Sequence, residues 1–328
     1  MGDEYVLAGD VGGTNLRIAA VSTSGTVLQH LSEPTPKTGA AADIMDAVCR
    51  VAEACIAEGG KHERPIGFGL ALAALVSVKD GSPLSSPNLP ELNDLHLADV
   101  LSERLHLKVV LENDATAAAI GEHWLGSSKG IDNSVFVTLG TGVGGGLILD
   151  GRVYRGVDGT AGEIGHICVE PDGHPCGCGS HGCVEQYSSA TAIVRIAREL
   201  IRHDSTSPLA RGAKFTSEDV YDAAAAGDPV SLETFRIMGR YLGIALAGLV
   251  DVLNPELIVI GGGVAGGWEF FIEHLRSELL ARAFPHPAMR VRLARASLGD
   301  AAGILGAARV ALDAMRGPAP VVLQGSLN

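Results

Sequence analysis

Glu163, His166, Cys176, Cys178, Cys183 and Glu185 fall within residues 161–187, AGEIGHICVEPDGHPCGCGSHGCVEQY. Thiolate sulfur and imidazole nitrogen suit zinc, and a set of three cysteines and one histidine closes four ligands around it as a tetrahedron. One residue separates Cys176 from Cys178, and Cys183 lies five further on. Gly177, Gly179 and Gly182 let so short a loop bend until three sulfurs converge. His166 precedes the trio by ten residues and is the preferred fourth ligand, with His174 and His181 as rivals beside the cysteines. Disulfides are the competing use of close cysteines, but nothing at the start of the chain resembles a secretory leader, and 328 residues need no covalent staples. A metal knot of this kind holds a loop still.

The elements that position chemistry are two glycine turns and two strand ends. Residues 5–10 and 16–21 read as strands joined by DVGGTN. Gly12 and Gly13 present bare amides there and Thr14 a hydroxyl, an anion nest for phosphate. Asp10 beside a phosphate is best explained by magnesium between them; the competing reading is an ordinary hairpin turn. The arrangement recurs as strand 135–139, the turn GTGVGGG with Thr141 and Gly142, and strand 147–149. Residues 140–145 satisfy GxGxxG, but a strand and a turn at Asp150 and Gly151 follow where a dinucleotide site requires a helix, and no GxxxxGK[ST] occurs. Strand 108–111 ends in ENDA, which places Asn113 and Asp114 where helix 115–124 begins. Both residues are good helix caps, yet ligands of open α/β sheets bind beyond such strand ends. Strand 256–260 runs into Gly261, Gly262, Gly263 and Val264, where a flat ligand can lie against bare backbone or a helix can simply start, the helix spanning about 270–280.

Between these lie the supports. Helix 42–56 places Ile44, Val48, Val51 and Cys55 on one stripe, with Cys49 elsewhere on it. Residues 66–78 read as a buried strand and its continuation, and SPLSSPNLPEL as a loop whose Asn88 is a turn former or a ligand for a polar substrate. Helix 229–250 carries Leu232, Phe235, Met238, Leu242, Leu246 and Leu249 as core. Residues 203–216 read as an exposed loop, 300–315 as a last helix and 318–328 as a loosely held tail. Thirty-eight acidic against 25 basic residues give a net charge of −13, so no nucleic-acid partner is expected. Asp251, Asn254, Pro255 and Glu256 break the most apolar region, so no membrane association is expected. Four clustered cysteines out of six, Cys168 included, fit a reducing cytoplasm.

DVGGTN, ENDA, TLGTGVGGG, AGEIGH, CGCGSHGC and IVIGGGV follow one another in this order. Together they resemble the ROK family of bacterial sugar kinases and repressors, within the actin and hexokinase superfamily. The resemblance implies a two-domain, actin/hexokinase-like (ribonuclease H-like) α/β fold with a central cleft and a structural zinc loop. Residues 1–112 with 301–328 would form the smaller domain with the first phosphate loop. Residues 113–300 would form the larger one, with the zinc loop, the sugar-binding residues and the adenosine site. It implies ATP with magnesium as phosphoryl donor, a sugar hydroxyl as acceptor, and a homodimer. Asp114 matches the family's general base, and Asn113, Glu163, His166 and Glu185 match sugar contacts. His166, Cys176, Cys178 and Cys183 match the zinc ligands. Asp10, Gly12, Gly13, Thr14 and Asn15, with Thr141 and Gly142, match the phosphate loops, and Gly261 to Val264 the adenosine site. A carboxylate of ordinary pKa suffices as base because the loose phosphoryl-transfer transition state asks for little ionisation of the acceptor beforehand.

EQYSS after Cys183 resembles the glucokinase branch, so glucose is the expected acceptor, with N-acetylglucosamine, N-acetylmannosamine and fructose as alternatives. Ala74, where many members carry glycine, departs from the pattern in the sugar pocket. A sugar-responsive repressor is the main reading of another class; it would carry a DNA-binding module ahead of the first phosphate loop, where nine residues precede Asp10. A sugar-binding protein without catalysis is the third, and the intact Asp10, Asp114 and glycine turns argue against it.

Overall fold

The computed structural model describes residues 4–58, 64–77, 79–203, 206–211 and 214–317. The expected tail at 318–328 lies outside them. The chain divides into two compact units.

The first unit comprises residues 1–121, 157–160 and 301–328. Its strands are β1 (Tyr5–Val11), β2 (Asn15–Ser22) and β3 (Val27–Pro34), followed by helix α1 (Ala41–Glu58), then β4 (Phe68–Leu72), β5 (Leu75–Ser77) and β6 (Ser82–Ser85). Helix α2 (Leu97–Leu105), strand β7 (Val109–Asn113) and helix α3 (Asp114–Leu125) come next. The main sheet has the order β3-β2-β1-β4-β7, with β1 to β3 an antiparallel meander and β4 and β7 parallel to β1. The period of two in β4 divides its faces. Phe68, Leu70 and Leu72 join the core that includes Ile44, Val48, Val51 and Cys55 of α1 and Leu97 and Leu101 of α2.

The second unit comprises residues 122–156 and 161–300. Strands β8 (Ser134–Leu139), β9 (Val143–Leu149) and β10 (Arg152–Val153) precede helices α4 (Glu185–Ser188), α5 (Ala190–Ile201), α6 (Ser217–Ala225) and α7 (Pro229–Leu253). Then come β11 (Leu257–Gly261), α8 (Trp268–Arg282), α9 (Pro285–Arg290) and β12 (Arg292–Arg295). The sheet order β10-β9-β8-β11-β12 repeats the first unit's pattern of an antiparallel meander followed by two parallel strands. Helix α7 starts on Asp228, whose carboxylate accepts from Ser231 N at 3.0 Å, and stops at Asn254 in the left-handed region. Gly239 and Gly243 of α7 meet the backbone of Phe271 and Leu275 in α8, which brings the two helices close.

The chain ends its described part in helix α10 (Ala302–Arg316), which belongs to the first unit. Ala307 comes so near Gly69 that a Cβ there would overlap its carbonyl, so the remaining face of β4 is closed by α10. Gly306 of α10 approaches Ala117 of α3 just as closely, and Gly121 of α3 approaches Ala302. These contacts draw the start of α3 into the first unit, so the division falls after Gly121 rather than after residue 112.

Several local expectations are corrected. Residues 66–78 do not continue as one strand: the chain bends at Ala73 and Ala74 into β5, which pairs with β6 in a separate two-stranded sheet, so part of the expected loop is strand. Gly144, Gly145 and Gly146 lie in β9 rather than in the turn, because they pair with Thr138, Val137 and Phe136 of β8; Ile164 and Gly162 pass too close to Gly145 for any side chain there. Leu232 is 39% exposed on α7 although it continues the helical stripe. Within 203–216, Ser207 and Leu209 are buried around a short 3-10 turn. No helix among the described residues is long and apolar enough to cross a membrane.

Candidate active site and metal centre

In the first unit the expected residues gather at the carboxyl ends of three parallel strands. Val11 is in register with Leu72, and Leu72 with Asn113, so the ends of β1, β4 and β7 lie side by side. Beyond β1, Gly12 N donates to Asn15 O at 3.0 Å and closes the DVGGTN turn, while Thr35 Oγ1 donates to Gly12 O at 2.7 Å. Asn88 packs directly on Gly13: a Cβ on that glycine would stand 2.9 Å from the Asn88 side chain. Ser86 holds the Asn88 loop, donating to Ala73 O at 2.9 Å and accepting from Leu89 N at 3.1 Å. Asn113 Nδ2 reaches Ala74 O at 3.0 Å, and its Oδ1 accepts from Thr116 N at 2.9 Å in the manner of a helix cap. Asp114 Oδ1 accepts from Ala115 N at 2.8 Å and from Asn113 Nδ2 at 3.2 Å. Capping and ligand placement are therefore compatible, since each amide or carboxyl group has more hydrogen-bonding capacity than these bonds use.

Arg17 was not singled out from the sequence. Its Nη2 donates to Asp10 Oδ2 at 2.6 Å, and the two residues are direct cross-strand partners in β1 and β2. The hairpin register carried the signal: a strand returning after a short turn sets Arg17 opposite Asp10.

In the second unit, the turn after β8 is closed by Gly140 N donating to Gly142 O at 2.9 Å, and it is tied to α5 by Ala190 N and Thr191 Oγ1. The end of β11 lies beside it, with Gly261 in register with Thr138. Gly262 has φ 85°, and a Cβ there would overlap Leu139 backbone, whereas one at Gly140 or Gly263 would meet nothing within 4 Å. The strand ends thus pack against each other through Gly262 and leave an open, side-chain-free ledge at Gly140 and Gly263, which suits a nucleotide.

His166, Cys176, Cys178 and Cys183 converge, with their ligand atoms all within 4.8 Å of one another. His166 Nδ1 is 3.6 Å from Cys176 Sγ, and Cys178 Sγ is 3.6 Å from Cys183 Sγ. With metal–sulfur bonds of about 2.3 Å and metal–nitrogen bonds of about 2.0 Å, a tetrahedral zinc site has ligand-to-ligand edges of roughly 3.5–3.8 Å. The four residues therefore fit that ion. His174 is committed elsewhere: Arg195 Nη1 donates to its Nε2 at 2.6 Å. His181 stands outside the group.

Glu163 and Glu185 border this cluster. Glu163 Oε2 is 3.7 Å from His166 Nε2, the ring nitrogen opposite the thiols. Desolvation raises the Glu163 carboxyl above its ordinary range, His166 pulls it back and Glu185 pushes it further. Glu185 Oε2 accepts from Val143 N at 3.0 Å, and Oε1 lies 3.9 Å from Cys176 Sγ. One carboxylate thus ties the glycine turn after β8 to the thiol cluster. Arg195 adds a second tie that the sequence did not signal, because an arginine on a helix reads as surface. Its Nη2 donates to Gln186 O at 2.5 Å beside Glu185, and its Nη1 donates to Glu199 at 2.8 Å. Tyr187 stacks on Tyr241 of α7 with centroids 4.0 Å apart, which anchors the same segment on the long helix.

The sequence pattern of the ROK family matches residues 6–314. The chain belongs to the ROK family. Among ROK proteins it is 37% identical to the glucokinase of Halalkalibacterium halodurans over 93% of this chain and 94% of that one. It superposes with a TM-score of 0.79 on a ROK family glucokinase of Streptomyces griseus in complex with glucose and AMPPNP, at 34% identity, covering 94% of this chain and 99% of that one. The α/β fold is thus that of ROK kinases. A xylose repressor of Caldicellulosiruptor bescii is more distant, at 28% identity over 76% of this chain and 63% of the repressor.

Proposed function

We propose that this ROK protein is an ATP-dependent glucokinase that transfers the terminal phosphoryl group of ATP to the 6-hydroxyl of glucose. The observation that carries the reading is the alignment of strand ends in the first unit. Asp10 is the last residue but one of β1, with the glycine turn beyond it, and Asp114 opens α3 directly after β7, whose end lies two strand spacings, or about 10 Å, from that of β1. That spacing between the strand ends leaves room for a phosphoryl group. Similarity to glucokinases supports glucose over N-acetylglucosamine, N-acetylmannosamine or fructose.

In this reading Asp114 accepts the proton of the sugar hydroxyl, and its bonds to Ala115 N and Asn113 hold the carboxylate in place. Position matters more than basicity, because the acceptor gains little bond order before the phosphoryl group departs. Asn88, Asn113, Glu163, His166 and Glu185 bind the other sugar hydroxyls. Gly12, Gly13, Thr14, Asn15, Thr141 and Gly142 donate to phosphates, and residues 261–264 receive the adenosine. Asp10 would hold a magnesium ion, which would neutralise charge on the phosphates. His166, Cys176, Cys178 and Cys183 would hold a zinc ion with protein ligands at all four positions, so its contribution would be to fix Glu163 and Glu185 rather than to activate water. The enzyme works as a cytoplasmic homodimer without nucleic-acid or membrane partners.

The test is Asp114→Asn, assayed by ADP release across the four sugars. A fall in kcat of about 10²–10⁴ with intact fold and metal content is expected for a lost general base. Near-full activity would remove Asp114 from that role, and a sugar other than glucose giving the highest kcat/KM would change the acceptor.

A further inference from the structure

One thiol of the segment takes no part in the metal cluster. Cys168 is exposed and lies opposite Cys183 in an antiparallel bridge, yet it is outside the four-residue group. The bonds flanking the bridge are Val169 N to Gly182 O at 2.8 Å and Val184 N to Ile167 O at 2.9 Å. Cys168 and Cys183 therefore form a non-hydrogen-bonded cross-strand pair, for which the Cα atoms stand about 4.5 Å apart with side chains on one face. Disulfides span Cα separations of about 4.4–6.8 Å, so the backbone already has the spacing a bond would need. The two thiols differ in exposure: Cys168 meets solvent, while Cys183 is buried.

We infer that Cys168 and Cys183 form an oxidation site, at which a peroxide joins them into a cross-strand disulfide and so withdraws Cys183 from the metal cluster. The Cys168 thiolate attacks one peroxide oxygen; an S–O bond forms, the O–O bond breaks, and the second oxygen leaves as water after taking a proton. The Cys183 thiolate then attacks the sulfur of this sulfenic acid, forming the S–S bond and expelling hydroxide, which a proton converts to water. Two thiols are oxidised, one peroxide is reduced, and two waters leave. His166, Cys176 and Cys178 remain, one ligand short of a closed site. Glu185 lies two residues beyond Cys183, so the loss reaches the carboxylate that Val143 N holds. Disulfide reduction reverses the step. The consequence for the metal rests on the zinc reading above, whereas the disulfide itself does not.

The experiment uses the protein as purified, with its zinc content measured first. Hydrogen peroxide is added to the native chain and to Cys168→Ser, zinc release is followed with a chromogenic chelator, and remaining thiols are blocked before peptide mapping. The native chain should yield a Cys168–Cys183 peptide and release zinc in step with it. Cys168→Ser should release zinc at least about tenfold more slowly, and dithiothreitol with added zinc should restore the native chain. Equal release from both proteins, a Cys178–Cys183 or Cys176–Cys178 bond with Cys168 still reduced, or Cys168 oxidised to the sulfinic acid without a disulfide would each overturn the inference. A chain purified without metal that still forms the Cys168–Cys183 bond upholds the oxidation site and refutes the zinc reading instead.

Discussion

Glu122→Gln offers a severe test of how the second unit is held together. Glu122 is a fully buried carboxylate near the end of α3. Its Oε1 accepts from Ser297 N at 2.9 Å and Leu298 N at 2.8 Å, and its Oε2 accepts from Ser127 N at 2.7 Å and Ser297 Oγ at 3.3 Å. Glutamine keeps the volume but has one oxygen. With that oxygen toward Ser297 and Leu298, its amide nitrogen points a donor at the Ser127 N–H. One charge-assisted bond worth about 1.5–3 kcal/mol is lost, and an orphaned buried N–H costs about 1–3 kcal/mol more, which sums to about 2.5–6 kcal/mol. At roughly 2–4 °C per kcal/mol for a unit of this size, the second unit should melt about 10 °C earlier in calorimetry. Glu122 is outside the proposed substrate contacts, so KM for glucose and ATP well below the melt should stay within about twofold, the range of an uninvolved residue. A shift under about 2 °C would refute the accounting, because it would mean the four donors are satisfied without the carboxylate.

Gly262→Ala should raise KM for ATP while leaving KM for glucose nearly unchanged, since the alanine would stand at φ 85° against Leu139 backbone beside the proposed adenosine ledge; equal changes in both constants would contradict that placement. Gly306→Leu should abolish folding of the first unit, because its Cβ would overlap the Ala117 carbonyl, and a folded variant by circular dichroism would show that α3 and α10 can separate. A thiol reagent at pH 8 should leave Cys49 and Cys55 unmodified in the native protein, because burial pushes the Cys55 thiol up to about 11 and raises Cys49 as well. Labelling of either before thermal unfolding would disprove it.

Much of this arrangement was legible where chemistry is local. The two glycine turns, the strand ends at Asn113 and Gly261 and the cysteine spacing all declare themselves within a few residues. What stayed hidden depends on partners far along the chain. Glu122 sits in a helix as any surface glutamate would, and its donors at Ser297 and Leu298 come from a segment 175 and 176 residues away. β12 shows no apolar period, because Arg292 and Arg295 bracket Leu293 and Ala294 on an edge strand; only pairing with β11 makes it a strand. Leu232 fits the helical stripe of α7, but burial depends on what lies opposite, and there nothing covers it fully. The division at Gly121 followed from close backbone approaches at Gly121 and Gly306. Those glycines carry no pattern of their own.

The return of α10 to the first unit has a consequence for biosynthesis. While the ribosome works through residues 122–300, the β4 face that receives Ala307 must wait without its lid. At about 5–20 residues per second that interval is on the order of ten to forty seconds. Every strand of the second unit is synthesised within that time, so its sheet can close before the amino-terminal unit receives its last helix.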